Sequence, residues 1–418
     1  MAFGSRIITG HGDKIFRFFS EKALDNVLLL QYIISKLVLS GVNSTPGKIM
    51  RISYQKTESE QLEAMLPHID LLADSVSVKA LEKIPGSRDV IVSRPTPDFL
   101  FLHEAAVIGY HGILFASWYN CAVGELHGYT PIRGAKSFDG GKTWTEPEVI
   151  ASDPSGKLLY CPPVYGICDD TLYLLCNTMV GADHMHSLEF YRYDEASGKF
   201  LFLRSEPLPF KLNTNVYTLP NGKLLLPGRI AEMDSFPNTP AVLISDSGKI
   251  DAPWRLVKIQ QNGALPDGSS LLHPELSAIV QEDLITIFCR DDRREVPLLY
   301  QSHDRGETWC GPISHNIPFC GSKIYSGTLS NGVNYVVGSM DDRDRLSIFF
   351  SKPGSLEFIR GYDIQNGYNP VLNLSPQFSY PVGCEMNGFL HIIYTMQIPP
   401  QKNNIRGAML TSIPVRDK

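Results

Sequence analysis

Residues 137–144 read SFDGGKTW, and residues 302–309 repeat this stretch as SHDRGETW. Weaker copies begin at Ser245 (SDSGKIDAPW) and at Ser351 (SKPGSLEF). In the shared pattern Ser-x-Asp-x-Gly-x-Thr-Trp, the aspartate can accept backbone N–H groups, the glycine permits a positive φ, and the tryptophan can bury its ring in a sheet. The copies therefore predict one recurring structural turn.

A second pattern, two apolar runs separated by a tight turn, recurs from about residue 95 onward. Three of the turns contain an Asn-Gly pair, which favours a positive φ at both centres of a two-residue hairpin turn. The turns lie 58, 52, 61, 49 and 56 residues apart, at Gly112, Asp170, Gly222, Asp283, Gly332 and Gly388. Six units of this length, each with two hairpins, predict an all-β fold, a six-bladed β-propeller of four-stranded blades.

We assign residues 91–418 to this propeller and residues 1–90 to a partly helical N-terminal appendage of unknown role. Residues 13–39 and 58–75 of the appendage have helical patterns. The apolar run at 27–42 contains Lys36 and is too short to span a bilayer, so we expect a helix that is buried or faces a partner. The N-terminus has no signal-peptide pattern, which predicts a cytoplasmic protein and leaves secretion open.

Composition and charge exclude several classes of partner. The 418 residues carry a formal net charge of −6, so no overall cationic field favours nucleic acid or an anionic membrane surface. The eight cysteines are too sparse for a disulfide scaffold and show no zinc-like spacing with the histidines. No glycine-rich nucleotide-binding motif lies between a strand and a helix. We therefore expect no metal, no cofactor, no nucleic acid and no membrane as partners.

Blade topology separates structural from functional positions. In a four-stranded antiparallel blade, the turn between the first two strands and the turn between the last two lie on one face. The start of each first strand and the end of each second strand lie on the other face, at the mouth of the central channel, which is the default ligand site. Polar residues at these predicted mouth positions include His103, Glu104, Arg229, His273, Glu275, Arg290, Lys323 and Tyr380.

The complete turn motifs on a six-fold blade pattern resemble the Asp boxes of the sialidase (neuraminidase) superfamily, in particular its BNR-repeat branch. The resemblance covers roughly residues 95–418. It implies a sialidase-like, exo-acting glycoside hydrolase that acts on a terminal sugar of a glycan or oligosaccharide. Enzymes of this superfamily bind a substrate carboxylate with three arginines, protonate the leaving group with an aspartate, and use a tyrosine paired with a glutamate as nucleophile.

Three residues match this set in chain order. Glu275 and Arg290, which are 15 residues apart, resemble the family's glutamate and central arginine, and Tyr380 resembles its last-blade tyrosine. The resemblance thus implies that Glu275 and Tyr380 are catalytic and that Arg290 binds substrate. His273, two residues before Glu275, is a further substrate-binding candidate at the mouth.

The other two arginines of the family set are missing from their expected positions. His103 stands where the first is expected, and Arg94 is the closest upstream substitute. The stretch expected to carry the third offers only Lys323, with Arg343 and Arg345 farther along. Arg229 of the third unit is an extra substrate-binding candidate. Sialic acid is therefore not assigned as the sugar.

The expected acid is also replaced, because residues 99–138 contain no aspartate. Glu125, with His127 nearby, is the candidate acid, and His103 is the remaining catalytic candidate. Three functions stay open: the glycoside hydrolase, a catalytically inactive propeller that binds glycan or protein through the same mouth, and a lyase or other carbohydrate-active enzyme with His103 or His273 as base. The oligomeric state is not predicted.

Overall fold

The computed structural model describes residues 58–181, 184–231, 238–260, 264–367, 375–399 and 405–415. Spatial contacts divide the chain into a unit of residues Met1–Glu60 and a unit of residues Gln61–Lys418. The patterns at 13–39 and 27–42 lie outside the described residues, whereas residues 58–63 are helical as expected. The helical prediction for 58–75 is wrong beyond residue 63, because His68–Ile69 forms a strand that pairs with the outer strand of another blade. Among the described residues, no helix combines the length and apolarity needed to cross a lipid bilayer.

The second unit contains six mostly antiparallel sheets in the predicted repeat order. Among the described residues, two strands precede the repeats, β1 (His68–Ile69) and β2 (Arg88–Ser93). Blade 1 contains β3 (Phe101–Tyr110), β4 (Ile113–Cys121), β5 (Ile132–Ser137) and β6 (Glu148–Ala151). Blade 2 contains β7 (Leu159–Cys168), β8 (Thr171–Val180), β9 (His184–Asp194) and β10 (Lys199–Glu206). Blade 3 contains β11 (Phe210–Leu212), β12 (Tyr217–Thr218), β13 (Leu224–Ile230), β14 (Thr239–Ser245) and β15 (Arg255–Lys258).

The remaining blades follow the same order. Blade 4 contains β16 (Leu276–Val280), β17 (Ile285–Cys289), β18 (Leu298–Ser302) and β19 (Cys310–His315). Blade 5 contains β20 (Tyr325–Thr328), β21 (Val333–Met340), β22 (Arg345–Pro353) and β23 (Phe358–Asn366). Blade 6 contains β24 (Gln377–Met386), β25 (Phe389–Gln397) and β26 (Arg406–Pro414), with β2 as its outermost strand. The prediction of an all-β, six-bladed β-propeller is confirmed.

The two early strands complete blades that lie elsewhere in the chain. β1 adds a parallel fifth strand to blade 4 by pairing with β19. β2 pairs antiparallel with β26, with Arg88 opposite Ser412, and so closes the ring at blade 6. Closure by a strand from the other end of the propeller leaves fewer exposed sheet edges. β2 straddles the predicted domain boundary between residues 90 and 91, and the boundary itself stays a prediction.

The Ser-x-Asp turns form as expected, at the end of the third strand of a blade. In blade 1, Asp139 Oδ1 accepts hydrogen bonds from the backbone N–H groups of Lys142 and Thr143, both at 2.9 Å. Ser137 Oγ accepts the N–H of Gly141, whose φ is 80°. Ser137 pairs with Leu114, next to the β3–β4 hairpin turn, so the two kinds of turn share one face of the blade.

The Asn-Gly turns are only partly as expected. Asn387 and Gly388 both have positive φ values, 51° and 75°, as a two-residue turn requires. In the turns at Gly222 and Gly332, the prediction of two positive φ values is wrong, because only the glycines have one, 81° and 80°. The physical reason is loop length: Leu219 N–H donates to Lys223 O across a longer loop, and only the glycine takes the left-handed position.

The hydrophobic core lies between neighbouring blades. Blades 1 and 2 share a buried cluster that includes Phe115 and Tyr165, and blades 6 and 1 share one that includes Val107 and Tyr394. Burying each large apolar side chain contributes roughly 1.5 to 3 kcal/mol, so packing between blades is a main source of stability. It also fixes the first strands around the channel.

Candidate active site at the channel mouth

The first strands of blades 1 and 6 are bulged where they reach the channel mouth. β3 shifts its register against β4 directly after His103, and β24 shifts against β25 directly after Ser379. Within these bulges, Glu104 (φ 47°) and Tyr380 (φ 59°) have left-handed backbone conformations. Bulges re-aim side chains, and such strain clusters at functional sites, where the surrounding structure enforces it. The backbone thus marks this end of the channel as a candidate site.

Glu275, Arg290 and Tyr380 are in contact at this mouth. Arg290 Nη1 donates hydrogen bonds to Glu275 Oε2 at 2.7 Å and to Tyr380 Oη at 3.0 Å. Arg290 Nε donates to the backbone oxygen of Gly321 at 2.9 Å, which fixes the guanidinium plane. The backbone N–H of Arg290 also donates to Glu275 O at 3.0 Å, because the two residues extend the β16–β17 hairpin. The 15-residue spacing therefore places both side chains side by side.

The guanidinium of Arg290 bridges the carboxylate and the phenol, and among the described residues no hydrogen bond joins Glu275 to Tyr380 directly. Burial alone would raise the pKa of Glu275, but the charges of Arg290, Arg229 and Lys323 hold this pKa below its ordinary value. Burial raises the pKa of Tyr380 above its ordinary value, although the charge of Arg290 opposes this. Near neutral pH, Glu275 is ionised and Tyr380 is protonated.

His103 packs against Tyr380 at the seam between blades 6 and 1. The ring centroids are 4.1 Å apart, and His103 Nδ1 lies 2.9 Å from Thr395 Oγ1. Burial lowers the pKa of His103 well below its ordinary value, and the charges of Arg406 and Arg343 lower it further. The imidazole is therefore neutral near neutral pH and adds no positive charge to the mouth.

A buried ion pair crosses the channel from blade 5 to blade 1. Lys323 Nζ lies 3.2 Å from Glu104 Oε2, and the two residues are 2% and 6% exposed. Lys323 Nζ also lies 5.7 Å from the centroid of the Tyr380 ring, within reach of a cation–π contact. The thiol of Cys161 lies 3.9 Å from Glu104 Oε1. The pair thus belongs to the same cluster as Tyr380.

Arg229 and His273, both predicted to bind substrate, border this cluster. Arg229 Nη1 lies 4.0 Å from Glu275 Oε1, and its Nε and Nη1 are buried without a hydrogen-bond partner among the described residues. His273 Nδ1 lies 2.7 Å from Asp292 Oδ2, which is 3.7 Å from Arg290 Nη2. Burial opposes ionisation of Asp292, but the hydrogen bond with His273 and the charge of Arg290 hold its pKa below the ordinary value.

Glu125 and Arg94 lie apart from the buried cluster. Glu125 is exposed in the loop after β4, where Tyr119 Oη donates to its Oε1 at 3.3 Å. The Tyr119 ring lies 5.9 Å from that of His103, so Glu125 borders the mouth. Arg94 follows β2 at the outer edge of blade 6 and lines a peripheral cavity of about 320 Å³ together with Trp144. The structure thus brings Glu125 to the rim of the site and leaves Arg94 outside it.

Two further arginines lie at the mouth: Arg343, which the sequence analysis noted only as lying farther along the chain than Lys323, and Arg406, which it did not consider. Arg343 Cζ lies 5.7 Å from the centroid of the Tyr380 ring, and Arg406 Cζ lies 4.4 Å from the centroid of the Phe101 ring. Arg406 opens β26, the third strand of its blade, whereas the sequence analysis examined the starts of first strands and the ends of second strands. Third strands also start at the mouth, and the same topological rule applied to them would have found Arg406.

Residues 112–392 match the family model of BNR repeat-like domains. The chain belongs to this family. No curated protein sequence matches the chain. The family assignment agrees with the Asp-box resemblance and with the propeller, and it confirms the prediction of a BNR-repeat protein.

Several solved structures of sialidases share the fold. A mutant of Trypanosoma rangeli sialidase displaying trans-sialidase activity matches with a TM-score of 0.61 and 14% identity over 80% of this chain and 60% of that chain. The Hadza microbial sialidase Hz136 matches at 0.60 and 13% identity, over 76% and 66%. The phage phi92 endosialidase matches at 0.57 and 12% identity, over 79% and 70%. The chain thus spans about 60% of the length of the T. rangeli protein, and the likeness is one of fold.

We predict that replacing His103 with glutamine flattens the acid side of the stability profile of this family member. The pKa of His103 is lower in the folded protein than in the unfolded chain, so the unfolded chain binds more protons below pH 6.5. The free energy of unfolding therefore falls as the pH falls, by about 1 kcal/mol per pH unit for one such histidine. Urea unfolding between pH 7 and pH 5 measures this slope.

The matched control is His303→Gln, which changes an exposed histidine in an Asp box. This control should keep the wild-type pH dependence. If His103→Gln also keeps the wild-type slope, the imidazole of His103 is not held neutral in the folded protein.

Proposed function

We propose that the chain is a sialidase-like glycoside hydrolase that removes a terminal acidic sugar from a glycan. The observation that carries this proposal is the contact of Arg290 with both Glu275 and Tyr380, at 2.7 and 3.0 Å. A phenol, a carboxylate and a guanidinium at one buried point offer a nucleophile, a base and an anion-binding group. Among the structures of similar fold is a T. rangeli sialidase in complex with sialic acid, which supports a sugar as the ligand.

The charge of the mouth supports an acidic sugar. Basic residues outnumber acidic ones in the described part of the mouth and its rim: they are Arg229, Arg290, Lys323, Arg343 and Arg406, against Glu104, Glu125, Glu275 and Asp292. Guanidinium groups bind carboxylates through paired hydrogen bonds. A carboxylate on the sugar supplies the negative charge that this cluster lacks.

Tyr380 is the proposed nucleophile. Its oxygen forms a bond to the anomeric carbon, the phenol proton passes to Glu275, and the glycosidic oxygen leaves with a proton from Glu125. Water then attacks the anomeric carbon, Glu125 takes its proton, and Tyr380 leaves as the phenol after recovering its proton from Glu275. Catalytic contacts of this kind often tighten only in the substrate complex. The cycle uses water as its only co-reactant.

A second candidate function is a propeller that binds an acidic glycan without cleaving it. Glu275 is held ionised by several cations, and burial raises the pKa of Tyr380. A carboxylate with lowered basicity and a phenol with lowered acidity are poorly suited to forming a phenolate. This electrostatic arrangement supports the binding function.

Hydrolysis of fluorogenic 4-methylumbelliferyl glycosides distinguishes the two functions. The panel contains the glycosides of N-acetylneuraminic acid, its deaminated analogue, glucuronic acid, galactose and glucose. We expect release from at least one acidic glycoside and none from the neutral ones. Failure to cleave any of them, together with binding of an acidic sugar in ligand-observed NMR, would replace the hydrolase with the binding propeller.

A further inference from the structure

Arg406 is a buried arginine from blade 6 that reaches the first strand of blade 1. Its guanidinium carbon lies 4.4 Å from the centroid of the Phe101 ring, and the residue is 8% exposed. The backbone N–H of Arg406 donates to Leu100 O at 3.0 Å, which fixes the start of β26 against β3. Phe101 lies 5.8 Å from His103, centroid to centroid, so the guanidinium and the imidazole pack on the same ring.

Arg406 forms no ion pair at contact distance in the described part of the chain. No carboxylate there lies within ion-pair distance of its guanidinium, and its Nε is buried without a hydrogen-bond partner. The other buried cations of the mouth differ: Arg290 contacts Glu275 and Lys323 contacts Glu104. A buried, unpaired charge is costly, and proteins normally pair it. Among the described residues, the positive charge of Arg406 therefore stays without an ion-pair partner.

A second arginine lies near the Tyr380 ring. Arg343 Cζ lies 5.7 Å from that ring centroid, while His103 packs on the same ring at 4.1 Å. Burial lowers the pKa of Arg406, and although the charge of Glu125 opposes this, the charge of Arg343 lowers the pKa further. Two guanidiniums whose charges repel each other, near a neutral histidine, favour the binding of an external anion.

We propose that Arg406 binds the carboxylate of the sugar and determines the specificity of the site for acidic over neutral ligands. Phe101 holds the guanidinium at the seam between blades 6 and 1, and Arg343 provides a second cation for the same group. His103, on the first strand of blade 1, is neutral and supplies no positive charge. Arg406, on the third strand of blade 6, supplies that charge instead. This inference rests on the proposed acidic ligand, but it concerns binding and is independent of turnover.

The test compares two carboxylate probes with their uncharged methyl esters by calorimetric titration. The probes are the dehydrated sialic acid analogue DANA and D-glucuronate. We expect the wild type to bind at least one acid at least tenfold more tightly than its ester. Arg406→Met should lose at least tenfold in affinity for that acid and leave the ester unchanged. Arg406→Lys should fall between the two, because lysine keeps the charge but loses the paired hydrogen bonds.

The matched control is Arg133→Met. Arg133 Cζ lies 4.5 Å from the centroid of the Phe99 ring, a similar stacking, but Arg133 borders the peripheral cavity rather than the mouth. Its removal should leave both affinities unchanged. A double variant, His103→Arg with Arg406→Met, moves the guanidinium from one side of the seam to the other, since both side chains pack on Phe101. It should recover part of the affinity for the acid that Arg406→Met loses.

The outcomes separate this inference from the proposed function. Wild-type binding of an acid that needs Arg406, without cleavage of any glycoside, supports the inference and refutes the hydrolase. Cleavage of an acidic glycoside with equal affinity in the wild type and Arg406→Met supports the hydrolase and overturns the inference. Equal losses for acid and ester, or no preference of the wild type for an acid over its ester, also overturn it.

Discussion

Replacing Tyr380 with phenylalanine is expected to lower kcat for an acidic aryl glycoside by at least about 100-fold, with a change in KM of less than about threefold. The substitution removes one oxygen and keeps the ring, which packs against His103 at a centroid distance of 4.1 Å. The lost oxygen acts mainly in the transition state, so turnover falls more than binding. Steady-state kinetics on the purified variant measure both constants.

The matched control for this change is Tyr193→Phe. Tyr193 lies on β9 of blade 2, where its ring packs edge-on against Phe115 at 4.9 Å, away from the mouth. The control should keep wild-type turnover. Unchanged kcat in Tyr380→Phe, with the propeller still folded, would show that the phenol is not the nucleophile.

Arg290→Met is expected to abolish measurable turnover and to lower the free energy of unfolding by about 3 kcal/mol. The variant removes hydrogen bonds to Glu275, Tyr380 and the backbone oxygen of Gly321. It also leaves the nearly buried Glu275, which is 3% exposed, with a weaker set of counter-charges. Urea unfolding at pH 7 gives the stability, and the fluorogenic assay gives the turnover.

A double-mutant cycle with Glu275→Gln isolates the interaction of the pair. Glu275→Gln with Arg290→Met should be more stable than Arg290→Met alone, because the second change removes the poorly compensated carboxylate. Additive losses from the two single variants would contradict a direct coupling between Glu275 and Arg290. We expect the double variant to regain stability relative to Arg290→Met and to remain without measurable turnover.

Contacts within one hairpin could be predicted from the sequence. Glu275 and Arg290 flank β16 and β17, whose register places Leu276 opposite Cys289, so a spacing of 15 residues is enough to bring the two side chains together. The six blades could be predicted for the same reason, because each turn motif specifies local geometry. The position of Tyr380 followed from its place at the start of the last unit.

Contacts across the channel could not be predicted in this way. Lys323 and Glu104 are separated by 219 residues, and their pairing depends on the diameter of the ring and on the bulge that turns Glu104 inward. The topological rule can place Arg406 at the mouth, but no local pattern encodes its packing on Phe101 across the seam between the last blade and the first. Loop length had a similar effect at Gly222, where an Asn-Gly pair is part of a longer turn than the dipeptide predicts.

The closure of blade 6 links the ligand site to a strand that precedes the first repeat. A chain that began after Ser93 would lack β2, and the outer edge of β26 would lose its pairing from Arg88 to Ser93. Arg406 is the first residue of β26, so cleavage in the segment between β2 and β3 can loosen a residue of the mouth without touching the mouth itself. Limited proteolysis at residues 94–100 would therefore test whether the strand that closes the ring also holds the ligand site in place, because β2 and Arg406 meet on the same strand, β26.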